Sequence, residues 1–290
     1  MPQYHLIPDI GDFNENVDDV NLGVHDYIWN KRRALFLGTC AVSVALCAAL
    51  WILEVRYYGT LTRAMGSRAL WYSLLVLLLP EFWYAHFKAQ MQHLFMRQLA
   101  QAIGFNYEST ASLQTVQGKI FELGSSRQIE DVLSGTYQSH PIRIFGYRFT
   151  VHAGKSSYTA KYTIFALAFE GTMPDIVLAP KSFLLASTLG IAPGGCTKIV
   201  LEGDFNEHFH LYAPEGYEVE IREIFQPDLM AELVEKYQSY RIEIAGGALY
   251  VVCPLITNKA KFLAAHDLTD RLFARLAPQL KAIAAAPTPV

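Results

Sequence analysis

Four side chains within seven residues, Asp204, Glu207, His208 and His210 (DFNEHFH), are the densest group in this 290-residue chain that could bind a metal. In a strand, His208 and His210 would point to one face, as a pair of imidazole ligands to zinc does. The residues nearby supply no further ligand beyond Asp204 and Glu207, and the competing reading is a half-buried strand in which His alternates with Phe. Glu130 and Asp131 are adjacent carboxylates of the kind used in acid–base work. Neighbours on a strand face opposite ways, so a structural role is the better reading of the pair. Cys196 follows Pro193, Gly194 and Gly195 and reads as a loop thiol. Neither a Walker loop nor a dinucleotide Gly-rich turn is present, and there is no Gly-x-Ser-x-Gly elbow or His-Glu-x-x-His. No catalytic residue and no cofactor-binding residue is assigned, and no cofactor is expected.

The elements that would carry these groups follow a long apolar front. Ala34–Val55 and Ala69–Phe87 are two apolar blocks, and about 20 such residues cross a bilayer as a helix. Lys31, Arg32 and Arg33 bound the first block on one side, and Trp51, Tyr57 and Tyr58 lie at its other end, where amphipathic rings favour the headgroup zone. Ala41, Ala45 and Ala49 recur every fourth residue, a stripe that lets a second helix approach. The second block is interrupted by Pro80 and Glu81, and up to that point it is shorter than the ~30 Å hydrocarbon core. Pro80 is expected to kink it. Glu81 is the candidate functional polar residue in or near the membrane, with a place at the interface beside Phe82, Trp83 and Tyr84 as the alternative.

Lys and Arg on the outer flanks (Lys31, Arg32, Arg33, Lys88, Arg97) outnumber those of the loop (Arg56, Arg63, Arg68). By the positive-inside rule both termini are therefore expected in the cytoplasm, with the chain in the inner (cytoplasmic) membrane. Residues 1–33 carry three basic and six acidic side chains, and residues 88–290 carry 18 and 19. Such balance argues against nucleic acid, whose binding needs neutralised phosphates. Four cysteines, two of them inside the first apolar block, do not make a disulfide framework.

Downstream, the spacing of Met91, Leu94, Phe95, Gln98 and Ala102, with Leu99 and Ile103 beside that face, predicts a helix over Lys88–Ile103, with Gly104 as its cap. Strands are expected at Thr136–Tyr137, Ile142–Val151, Tyr158–Glu170, Asp175–Leu178, Lys198–Glu202, Phe209–Tyr212 and Tyr217–Phe225. A helix from Pro227 to Tyr237, a hairpin around Gly246 and Gly247, and a closing helix from about His266 that Pro278 kinks or ends complete the pattern. This order favours an α+β fold with a mostly antiparallel sheet. The domains expected are an acidic arm (1–33), a two-helix transmembrane hairpin (34–87), a connecting helix (88–104), a soluble α+β domain (105–283) and a flexible tail (284–290).

Several stretches resemble a family of bacterial two-pass membrane proteins, a domain of unknown function. They are Ile103–Tyr107, Ile129–Tyr137, Phe205–Phe209, Phe225–Met230 and Ala248–Val252. The resemblance implies a membrane anchor with a cytoplasmic α+β domain. It implies no activity and supplies no catalytic residues. The favoured function is a membrane-anchored, non-enzymatic interaction or scaffold module. Its expected partners are the lipid bilayer and a protein partner or a second copy of the chain, and no small-molecule ligand is identified. The alternative is a membrane-anchored enzyme, such as a hydrolase, with a carboxylate or His site assembled from distant segments. A transport accessory subunit is a third reading, for which Glu81 facing a partner helix would be the clue.

Overall fold

The computed structural model describes residues 33–58, 79–137, 139–153, 156–170, 173–182, 194–256 and 259–285. They fall into two compact units, one within Asn14–Phe95 and one within Met96–Val290.

In the first unit, α1 (Arg33–Tyr58) is the one helix among the described residues that is long and apolar enough to cross a membrane, over Ala34–Tyr57. Its apolar side chains are turned outward: Val44, Ile52 and Leu53 are 62%, 64% and 63% exposed. The sheltered strip runs along Phe36, Thr39, Cys40, Ser43 and Cys47, and Ser43 is only 1% exposed. The Thr39 and Ser43 hydroxyls donate to the carbonyls of Phe36 (2.7 Å) and Thr39 (2.9 Å), so neither stays unsatisfied in an apolar setting. Ala41, Ala45 and Ala49 lie on the exposed side. Among the described residues the expected membrane hairpin is not shown. The acidic arm to residue 32 and residues 69–78 of the second block lie outside the described residues, and only the block's end falls in α2 (Leu79–Ala102). Glu81 sits in the first turn of α2.

Toward its C-terminus α2 buries Phe95, Met96, Leu99 and Ala100, and Ile103 just beyond it is buried too; Phe95, Leu99 and Ile103 lie inside as expected, whereas Leu94 is exposed, so the buried face is rotated toward Met96 and Ala100. Gly104 (φ +71°) ends the helix, and the Phe105 N–H donates back to the Ala100 carbonyl at 2.8 Å. A left-handed residue at this point is what lets the chain turn out of a helix.

The second unit is α+β. Among the described residues nine strands form one antiparallel sheet: β1 (Asn106–Ala111), β2 (Ser125–Tyr137), β3 (His140–Ala153), β4 (Ser156–Ala168), β5 (Ile176–Pro180), β6 (Cys196–Ile199), β7 (Phe209–Pro214), β8 (Arg241–Ala245) and β9 (Ala248–Pro254). Their spatial order is β1-β2-β3-β4-β9-β8-β5-β7-β6. Around them lie α3 (Phe205–His208), α4 (Glu218–Ile224), α5 (Pro227–Lys236) and α6 (Lys259–Ala285).

Period-2 alternation divides the core between two faces. On one, Phe165, Leu167, Leu249, Val251, Ile242, Ile244, Phe209 and Leu211 share a side through their register. The helices cover this side. Phe262 of α6 meets Phe165 at 5.6 Å, and Phe273 meets Tyr137 at 6.0 Å. Arg271 pairs with Glu232, and Arg275 with Asp228, tying α6 to α5. The other face carries Phe145, Tyr147, Phe149, Ile164, Tyr250 and Val252, with Ile120 and Phe121 packed among them.

Three expectations are corrected. Tyr217–Phe225 is not a strand but contains α4. Ile221, Ile224 and Phe225 are buried at helical spacing, while Val219 is 68% exposed. The closing helix starts at Lys259, seven residues early, and of the two outcomes expected at Pro278 it does not end there but runs on to Ala285. β2 begins at Ser125, not Thr136, and register shifts at Ser125/Gln128 and Glu130/Leu133 interrupt its alternation.

Candidate functional site: a cleft beneath the 112–124 strap

Residues 112–124 leave edge strand β1 and cross the sheet as a strap built from two short 3-10 turns, Leu113–Thr115 and Lys119–Glu122. Ser112 starts the first turn, its hydroxyl accepting from Gln114 N–H at 3.3 Å. Ile120 and Phe121 then drop into the core. The Phe121 ring meets Tyr147 edge-on at 5.2 Å and Tyr250 at 5.3 Å, a geometry that aromatic quadrupoles favour.

Side chains from the sheet hold the strap's backbone. Glu243 Oε2 accepts from Ile120 N–H at 3.1 Å, and the Tyr250 hydroxyl accepts from Gln117 N–H at 3.1 Å. From the flank, Arg127 Nη1 donates to the Phe121 carbonyl at 2.6 Å and Arg143 Nη1 to Thr115 Oγ1 at 2.8 Å. Glu243 is itself paired with Arg241, whose Nε donates to Oε1 at 2.5 Å and whose Nη2 bridges the same oxygen. Both side chains are completely buried. They stand two residues apart on β8 and so share a face. A buried ion pair of this kind holds a charge that one partner alone could not stabilise in the interior. Gly118 (φ +138°) brings the strap close: a Cβ there would lie 2.8 Å from Glu243 Oε2.

Between the strap and the sheet opens a cleft of about 590 Å³, within the range of ligand sites. Leu113, Val116 and Phe121 give it apolar walls, and Arg127, Asp175 and Lys119 bring charge to it. Lys119 is engaged with Glu122 at 2.6 Å. A second hollow of about 360 Å³ adjoins it and shares Leu113 and Arg127. A mixed lining of this kind suits an amphipathic ligand or a peptide segment.

The residues singled out from the sequence lie elsewhere. Glu130 stands 3.4 Å from Arg148. Asp131 is fully buried at a bulge, with φ +54°, and accepts from the Tyr107 hydroxyl at 2.7 Å. Burial first, and that bond next, push the Tyr107 phenol up to about 12. Both acids therefore belong to β2. His208 ends α3, whereas His210 lies in β7, so the two are not successive members of one strand. Six strand spacings separate β2 from β7, roughly 30 Å, so the sheet does not bring Glu130 and Asp131 together with the two histidines. Among the described residues no three His, Cys, Asp or Glu side chains gather closely enough to hold a metal ion. Cys196 opens β6, and burial, then Asp175, raise its thiol pKa.

Sequence reading missed the strap and the Arg241–Glu243 pair. The signal was Arg-Ile-Glu-Ile-Ala, whose charges alternate with Ile as they would on a strand with one wet face. Gly118 and Gly246–Gly247 were the other local marks.

No family model matches the chain, and no curated protein matches it. The likeness to a two-pass membrane family thus rests on the short stretches quoted above and gives no family assignment. Among solved structures, the crystal structure of the mycobacterial trehalose monomycolate transport factor A, TtfA, aligns with a TM-score of 0.48 at 14% identity, over 69% of this chain and 98% of that one.

Proposed function

We propose that the chain is a membrane-anchored binding module that presents its α+β unit, and the cleft beneath the strap, at a membrane surface. The observation that carries this reading is the outward apolar surface of α1. Val44, Ile52 and Leu53 are more than half exposed, and leaving such a helix in water forfeits about 25 cal/mol per Å² of apolar surface. A bilayer removes that cost.

The sheltered Thr39–Ser43–Cys47 strip supports a second pass. Membrane helices turn small and polar residues toward one another, and the second apolar block can supply the facing helix. With a second pass, the Lys/Arg bias supports both termini in the cytoplasm, at the inner membrane. The cleft supports binding of a protein segment, from a partner or a second copy, in preference to chemistry. Its one fully buried carboxylate, Glu243, is committed to Arg241 and Ile120.

The test is a photo-reactive amino acid placed at Gln114, on the cleft wall, in membrane-bound full-length protein. A discrete adduct is expected there and not from the same probe at Lys161, an exposed side chain of β4. No adduct at Gln114, or equal adducts at both positions, would refute the binding role.

A further inference from the structure

Beyond the cleft, the strap-bearing face of the sheet continues across β5, β7 and β6. Ala179 lies opposite His210, and Lys198 opposite Tyr212. Lys181 extends the β5–β7 ladder by one bond, its N–H donating to the His208 carbonyl at 2.8 Å. By this register Lys181, His210, Tyr212 and Lys198 share one face.

Among the described residues no carboxylate pairs with Lys181, Lys198 or His210. The His210 Nδ1 is buried without a hydrogen-bond partner. By the register each lysine is a diagonal neighbour of His210, Lys181 from β5 and Lys198 from β6, and burial first, then Lys198 and Lys181, lower the imidazole pKa. The Tyr212 ring stands 6.3 Å from it. Like charges gathered without a counter-charge repel one another. An oxyanion placed among them reverses that sign and accepts charge-assisted hydrogen bonds from the two ammonium groups.

We propose that Lys181, Lys198 and His210 form a binding site for a phosphate group. That group comes either as a free phosphate or as the phosphodiester of an anionic lipid headgroup, the latter within reach of a protein tethered to a bilayer. The site is independent of the cleft.

Full-length protein in neutral maltoside micelles is titrated calorimetrically, at constant ionic strength, with inorganic phosphate and separately with dihexanoyl phosphatidylglycerol. Saturable one-site binding is expected for at least one of them. Binding of both means that the site reads the phosphate group itself. Binding of the lipid alone assigns it to headgroups, and of phosphate alone to the soluble anion. The exposed pair K181M/K198M should weaken binding at least tenfold without loss of fold, and H210F should weaken it with both lysines in place. Absence of saturable binding by either probe, or wild-type affinity in K181M/K198M, would overturn the proposal.

Discussion

Replacing Glu243 with Ala should unlock the strap and leave Arg241 charged in the interior. The carboxylate accepts from Arg241 on one oxygen and from Ile120 N–H on the other, with both side chains of the pair fully buried. Removing one member of such a pair costs about 3–5 kcal/mol, chiefly through the charge left behind. For a unit of this size that is a fall in Tm of about 6–20 °C. Removing both charges together, in R241M/E243L, should cost less, about 1–3 kcal/mol, because only the Ile120 N–H is then left unsatisfied. The order is the informative part: the double variant should be more stable than E243A. The assay is urea unfolding of the full-length protein in detergent, followed by far-UV circular dichroism, with amide exchange at Ile120 as the local readout. Exchange there should accelerate in both variants. An E243A loss below 1 kcal/mol, or a double variant less stable than the single, would refute the view that this pair anchors the strap.

Other outcomes follow from the same structure. Gly118→Ala should destabilise by about 1–3 kcal/mol, since it combines positive φ with a 2.8 Å clash. Gly194→Ala, with nothing within 4 Å of its Cβ, should be near neutral in the same unfolding assay. The Arg275 hydrogen bond holds the Asp228 carboxyl below its ordinary 3.8. Its contribution is therefore present above that pH and lost as pH falls through the lower folded value. Asp228→Asn should shrink the Tm difference between wild type and variant as acid titration passes below 3.8. Reporter fusions at residue 290 and within residues 59–68 should report cytoplasm and the opposite side, respectively; two reports from the same side would reject a second pass.

Much of the sheet was legible in the sequence because its strands alternate or are apolar throughout. Ile142–Val151, Tyr158–Glu170 and the hairpin at Gly246–Gly247 carry that signal; β3, β8 and β9 lie where it places them, and β4 ends two residues sooner, at Ala168. β1 gave none: Asn-Tyr-Glu-Ser-Thr-Ala is an edge strand with mostly exposed side chains, so nothing in it repeats with a period of two. In β2 the bulges break the period. Tyr217–Phe225 reads as alternating because Glu separates its apolar residues, yet the same residues also fit a helix with Ile221, Ile224 and Phe225 inward. Tertiary burial decided between the two. The strap was unreadable for a related reason. Its polar backbone is satisfied by residues more than a hundred positions away, on β8 and β9. The basic cluster likewise exists only through the pairing of β5, β6 and β7.

The central claim is that α1 lies in a bilayer. The direct measurement is alkaline carbonate extraction of membranes containing the full-length chain, beside a V44R/I52R variant whose charges fall on the outward face of α1. The chain is expected to stay with the membrane pellet and a larger fraction of the variant to be released, the second apolar block alone then holding it. Release of the unaltered chain into the supernatant would contradict the account.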